Sequence, residues 1–120
     1  MEMELTKTFR FEAAHRLPNF PEGHKCKRLH GHSYQVDVKI EGEISKNTGV
    51  VMDYQDISDA FAPILKDLDH YYLNEVRGLE NPTSENLAKW IWERLKPTLP
   101  MLKVVIVRET CTSGCSYFGP

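Results

Sequence analysis

Between residues 34 and 41 every second side chain is apolar: Tyr34, Val36, Val38 and Ile40 alternate with Gln35, Asp37, Lys39 and Glu41. A period of two sends the two sets to opposite faces of an extended chain, so this run is a strand with one buried face and one wet face. Residues 5–13 alternate in the same way, with Leu5, Lys7, Phe9, Phe11 and Ala13 on one side. The stretch between the two runs, residues 18–28, is polar and broken by Pro18, Pro21 and Gly23, which makes it a loop. Two long half-buried strands at the start of a chain commit it to a sheet that must be covered on one face.

The period then changes. Turn residues occupy 45–49, and Asp53 is placed to cap a helix in which Ile57, Phe61, Ile64, Leu65 and Leu68 recur at helical spacing. Pro63 falls inside that pattern and is expected to bend the helix or restrict its start. After a loop over 74–82, Pro82-Thr83-Ser84-Glu85 opens a second helix with a hydroxyl cap and an acid in its first turn. Leu87, Trp90, Ile91 and Leu95 form its apolar face, with Trp90 assigned to the core, and Pro97 and Pro100 close it. Residues 102–110 read as a third strand, 111–115 as a turn and 116–118 as a short fourth strand. The order β-β-α-α-β-β predicts an α+β fold: one antiparallel sheet with two helices on one face, in a single domain over residues 1–120.

Composition excludes several classes. Fifteen Lys and Arg against seventeen Asp and Glu give a net charge of −2, so no electrostatic footprint for a nucleic acid is present. The longest aliphatic run, Val104-Val105-Ile106-Val107, is far short of the ~20 residues of a membrane helix. The opening Met-Glu-Met-Glu does not resemble a signal peptide, and a cytoplasmic setting is expected. Three cysteines, Cys26, Cys111 and Cys115, are too few and odd in number for a disulfide scaffold. Cys111 and Cys115 could pair across a hairpin, but nothing demands it, and they read as reduced and structural.

The chemistry gathers around the histidines. His30-Gly31-His32 puts two imidazoles at i and i+2 just before a strand, where both point to one side, and Gly31 leaves room for close approach. His15 ends the first strand, the natural hairpin partner of the second. Three histidines with a fourth position open form the pattern of a catalytic zinc; the plain reading is three hydrogen-bonded loop and core histidines. Cys26 could complete a closed tetrahedron, stand beside the metal as a thiolate, or be an incidental loop cysteine. His24, Lys25, Lys27 and Arg28 surround it with charge that favours thiolate, and the same cluster could hold a polyphosphate or be solvated surface. In Asp69-His70 the carboxylate could orient the ring, although neighbours on a helix point apart and His70 also suits a helix C-terminus. Glu109, near the end of an apolar strand, could pair with Arg108 or Lys103, grip a ligand edge, or face solvent.

Taken in order, Phe11-Glu12-Ala13-Ala14-His15-Arg16-Leu17, Cys26-x-x-Leu29-His30-Gly31-His32-Ser33-Tyr34, Leu68-Asp69-His70, Asn81-Pro82-Thr83-Ser84-Glu85-Asn86 and Glu109-Thr110-Cys111 resemble the 6-pyruvoyltetrahydropterin synthase family over residues 5–118. The three residues between Cys26 and His30 are similar to the bacterial branch of that family that forms 6-carboxytetrahydropterin for queuosine; the animal branch carries a longer insert, and a third subgroup has Glu in place of the cysteine. The resemblance implies a tunnelling (T-fold) architecture, a homohexamer with active sites between subunits, and a pterin triphosphate substrate. It implies Zn2+ held by His15, His30 and His32, and Cys26 as the catalytic thiol. Asp69 and His70 match the proton-transfer pair, which need not touch within one chain, and Glu109 matches the carboxylate that anchors the pterin. Thr83, Ser84 and Glu85 match a segment near the pterin pocket, although capping explains them first. The expected reaction converts 7,8-dihydroneopterin triphosphate to a 6-carboxylated tetrahydropterin with release of acetaldehyde and triphosphate. Its rivals are the pyruvoyl product and a non-catalytic zinc-stabilised module.

Overall fold

A computed structural model describes residues 2–110 and 112–120 of the chain; what the sequence reading says of Cys111 lies outside the described residues. Strands β1 (Glu2–His15) and β2 (His30–Glu43) are joined to β3 (Leu102–Thr110) and β4 (Ser113–Tyr117) in one sheet of order β1-β2-β3-β4, each neighbour antiparallel. Helices α1 (Tyr54–Leu68) and α2 (Ser84–Leu95) lie between β2 and β3 in the chain. The predicted order holds. The first two strands are longer than their alternation alone indicates, and β2 begins at His30, so the histidine pair lies inside the strand rather than before it. The fourth strand begins at Ser113, three residues earlier than predicted, and ends before Phe118.

The β1–β2 register explains both the core and the site. Phe9 lies opposite Val36, Phe11 opposite Tyr34, Ala13 opposite His32 and His15 opposite His30. These residues share one face. Its middle is apolar and covered by the helices; its end is a row of imidazoles. The α1 stripe Ile57, Phe61, Ile64 and Leu68 is buried, and Phe61 stacks on Phe9 at 4.1 Å between ring centroids. Leu87, Trp90, Ile91 and Leu95 are buried on α2, and Trp92 packs edge-on against Tyr117. Pro63 does not restrict the start of α1, which Asp53 caps through Gln55 N–H at 2.9 Å; its exposed position leaves the carbonyl it strands to water. Thr83 caps α2 by accepting the Asn86 N–H at 3.1 Å. No helix among the described residues is long and apolar enough to cross a membrane.

Candidate active site

His15 ends β1 and is buried, with 1% of its surface exposed. Its Nε2 lies 3.0 Å from His30 Nε2 and 3.2 Å from His32 Nε2. On the opposite side of each ring Nδ1 meets a backbone carbonyl: Pro82 for His15 at 3.1 Å, Arg28 for His30 at 2.8 Å and Ser33 for His32 at 3.2 Å. A carbonyl only accepts, so each Nδ1 holds the proton and each Nε2 turns a lone pair inward. Lone pairs facing one another at these distances repel, and a cation among them removes the repulsion. The three histidines are a group able to hold a metal ion, and Cys26 is not part of it. Gly31 is not needed for space: a Cβ there would meet only the Ala13 carbonyl, at an ordinary 3.7 Å.

Burial, then the charges His32 and His30 would carry, bring the His15 pKa from 6.5 to about 4, against an opposing pull from the Pro82 carbonyl. The folded chain therefore keeps this ring neutral where the unfolded chain begins to protonate. Stability is full above about pH 6.5 and declines as pH falls from there towards 4. Chelator-treated protein is expected to melt at a lower temperature at pH 5 than at pH 7.5, with a smaller difference in His15→Asn. Equal melting temperatures at the two pH values would contradict this.

Tyr34 was legible only as a core position. It is 1% exposed, stacks on Phe11 at 4.9 Å, tilts against His32 at 4.1 Å and places its hydroxyl 2.8 Å from His15 Nδ1. Burial, and next the Glu109 charge, push its pKa up, so it remains a neutral hydroxyl. With Nδ1–H shared between Pro82 and Tyr34, Tyr34→Phe should weaken metal binding by about tenfold in a chelator competition, because such outer partners fix ring orientation. Unchanged affinity would assign that task to the Pro82 carbonyl alone.

Cys26 sits in a short 3-10 turn, Lys25–Lys27, capped by His24 Nδ1, which accepts the Cys26 N–H at 3.1 Å. Lys27 is ion-paired with the exposed Glu22. Lys25 and Arg28 are the cations that line the hollow of about 530 Å³ holding Cys26 and His30. Cys115 is a second free thiol, pushed up by burial and then by the Glu85 charge, which places Glu85 beside β4.

Asp69 and His70 do touch within the chain, at 3.0 Å between Oδ1 and Nδ1. The expectation that they point apart assumed a helix, but α1 stops at Leu68 and His70 is left-handed, with φ of 64°. Glu12 holds the pair in place: its N–H donates to Asp69 Oδ1 at 3.0 Å and its carbonyl accepts the His70 N–H at 2.6 Å. That Glu12 N–H, and then His70, hold the Asp69 carboxyl below its ordinary range. The exposed His70 ring lines a hollow of about 540 Å³ together with His32, Glu12 and Tyr72.

Glu109 pairs with neither predicted cation. Arg108 bonds Asp37 at 3.3 Å, and Lys103 pairs with Glu4 and Glu41. Because Gln35 faces Arg108 in the ladder, Glu109 falls on the Tyr34 side of the sheet. Its Oε1 is buried without a hydrogen-bond partner, 3.8 Å from His32 Nε2, and it lines a hollow of about 560 Å³ with Tyr34, Gln35 and Arg10. A buried carboxylate oxygen without a donor is uncommon in a folded protein, and it marks Glu109 as a candidate site residue. Cys26, His70 and Glu109 therefore line three separate hollows. Each hollow abuts the histidine cluster, through His30, His32 and Tyr34 respectively. None of the three is lined by Thr83, Ser84 or Glu85.

The family model described as 6-pyruvoyl tetrahydropterin synthase matches residues 4–120. The chain is 48% identical over 120 residues to the 6-carboxy-5,6,7,8-tetrahydropterin synthase of Synechocystis, covering 95% of this chain and 92% of that protein. It is 40% identical over 90 residues to the dihydroneopterin monophosphate aldolase of Pyrococcus furiosus, covering 75% and 72%. The structure of Caenorhabditis elegans 6-pyruvoyl tetrahydropterin synthase superposes with a TM-score of 0.90 at 27% identity, covering all of this chain and 97% of that one. Matched by that family model over residues 4–120 and by relatives of similar length and fold, the chain belongs to the 6-pyruvoyl tetrahydropterin synthase family.

Proposed function

We propose that the chain is a metal-dependent pterin lyase that converts 7,8-dihydroneopterin triphosphate to 6-carboxy-5,6,7,8-tetrahydropterin, with release of triphosphate and acetaldehyde, in queuosine biosynthesis. The observation that carries this reading is the convergence of three Nε2 atoms, each on a ring whose Nδ1 meets a backbone carbonyl, in a group able to hold a metal ion. The Synechocystis relative supports the carboxy branch. Three neutral imidazole donors within 4.8 Å of one another suit a borderline-soft divalent ion such as zinc. Zinc is thus the metal we assign to His15, His30 and His32, and when bound it supplies a Lewis acid that acidifies the C–H and O–H bonds of the substrate side chain.

The remaining roles belong to the protein. Glu109 takes the pterin's 2-amino group and adjacent ring N–H in two charge-assisted bonds, satisfying the orphan Oε1. Cys26, as thiolate, removes a carbon-bound proton, and His70, its ring set by Asp69, exchanges a proton with a side-chain oxygen. Lys25 and Arg28 face the triphosphate beside Cys26, with Lys27 a step removed through its pairing to Glu22. Thr83, Ser84 and Glu85 border the pterin in the same reading while capping α2. The family resemblance implies a homohexamer, and in this reading neighbouring subunits border the three hollows. A cysteine count of three, low and odd, suits reduced thiols and a cytoplasmic setting.

Product analysis by mass spectrometry tests the reaction. Zinc-loaded protein with dihydroneopterin triphosphate should yield a carboxylated tetrahydropterin and acetaldehyde. A pyruvoyl product would keep the site and move the chain to the other branch; no product from folded, zinc-loaded protein would overturn the assignment and favour a binding module.

A further inference from the structure

We propose that Asn74 is a positioning residue: its side-chain amide ties the strand end carrying His15, the loop carrying Cys26 and the segment leading to Pro82 into one unit. This inference rests on the catalytic reading of Cys26 and of the histidines.

The Asn74 amide spends both of its N–H donors and one of its two oxygen lone pairs on backbone. Its Oδ1 accepts the Arg16 N–H at 2.9 Å, and its Nδ2 donates to the Arg16 carbonyl at 2.7 Å and to the Glu80 carbonyl at 3.3 Å. It thus plays the part of a strand partner for the residue that follows His15. Only a primary amide can accept from one N–H while donating to two carbonyls. Asp has the shape but no donor, and would set a carboxylate against two carbonyl oxygens. The amide is itself presented rigidly: Asn74 lies in the 3-10 turn Leu73–Glu75, anchored by the fully buried Leu73, and Tyr72 is bridged to Ala14.

Arg16 and Leu17 pass this fixity to the loop. Arg16 Nε donates to the Lys27 carbonyl at 3.1 Å, and the Leu17 N–H donates to the Cys26 carbonyl at 2.8 Å. On the other side, the Glu80 carbonyl that Asn74 holds stands two residues before the Pro82 carbonyl, which bonds His15 Nδ1. One amide therefore sets the distance between a metal ligand, its orienting carbonyl and the proposed base. Such geometry matters because outer groups that orient ligands and reacting side chains govern both affinity and rate.

The test uses the full chain, zinc-loaded, as parent, Asn74→Asp and Arg16→Lys. Three quantities are read: steady-state kinetics with dihydroneopterin triphosphate, zinc affinity by chelator competition, and hydrogen exchange by peptide. For Asn74→Asp, kcat should fall about 10–100-fold with KM changed less than about threefold. Exchange over residues 16–28 should rise at least about tenfold while β2 residues 34–40 keep their protection. A kcat within about twofold of parent, or exchange that rises equally in β2, would mean a merely structural residue and overturn the proposal. Arg16→Lys keeps the clamp but loses the Nε bond, so faster exchange should be confined to the Cys26 loop with zinc affinity unchanged. If Asn74→Asp does not fold, Asn74→Ala, which removes the three bonds without adding a charge, takes its place, and unaltered exchange over residues 16–28 in that variant overturns the proposal. A parent that fails to turn over would refute the assigned reaction, whereas zinc affinity and exchange would still judge the clamp.

Discussion

Cys26→Ala should keep its metal and lose its rate. The sulfur lies outside the group of three histidines, so removing it takes nothing from the ligand set. A positioned proton-transfer group contributes about 10²–10⁴ in rate, and kcat should fall by that factor with metal content unchanged. Metal analysis on the purified variant, run beside its kinetics, separates the alternatives. If Cys26 instead closed a structural tetrahedron, the variant would lose metal and stability together. Normal turnover by Cys26→Ala would remove the thiol from the mechanism altogether.

His30→Ala and His32→Ala should do the reverse and lose the metal. Each removes one of three inward lone pairs, and the cost should exceed the ~10–100-fold typical of outer-shell changes, reaching on the order of 10³ in affinity. The fold should survive. Both rings are only partly buried, and the core from Phe11 and Val36 to Phe61 and Ile91 does not include them. Chelator competition reports the affinity, and circular dichroism and melting of the metal-free proteins report the fold. A variant that unfolds, or one that binds metal as tightly as parent, would contradict this division between core and site.

What the sequence made legible was local. Period-two alternation marked β1 and β2 because each has one face on the core, and the same rule put His30 and His32 side by side. Capping chemistry marked both helix starts, since Asp53 and Thr83 bond groups two and three residues ahead. The misreadings have physical causes. Gly114 signals a turn, but here it sits inside β4, where a Cβ would press on the Arg108 side chain at 3.1–3.2 Å. Asp37 falls on the polar side of β2 yet is buried, because Thr8, Gln35 and Arg108 surround its carboxylate with hydrogen bonds. The second layer of the site was invisible for another reason. Asn74 meets Arg16 across 58 residues and the Pro82 carbonyl meets His15 across 67. Contacts of that kind leave no periodicity and no motif behind them.

The coordination shell itself is the most direct test of a three-histidine centre with the thiol standing outside it. X-ray absorption at the zinc edge of the loaded protein, without substrate, should show only nitrogen and oxygen scatterers at ~2.0–2.1 Å. A sulfur scatterer at ~2.3 Å would put Cys26 on the metal and contradict its role as a free base.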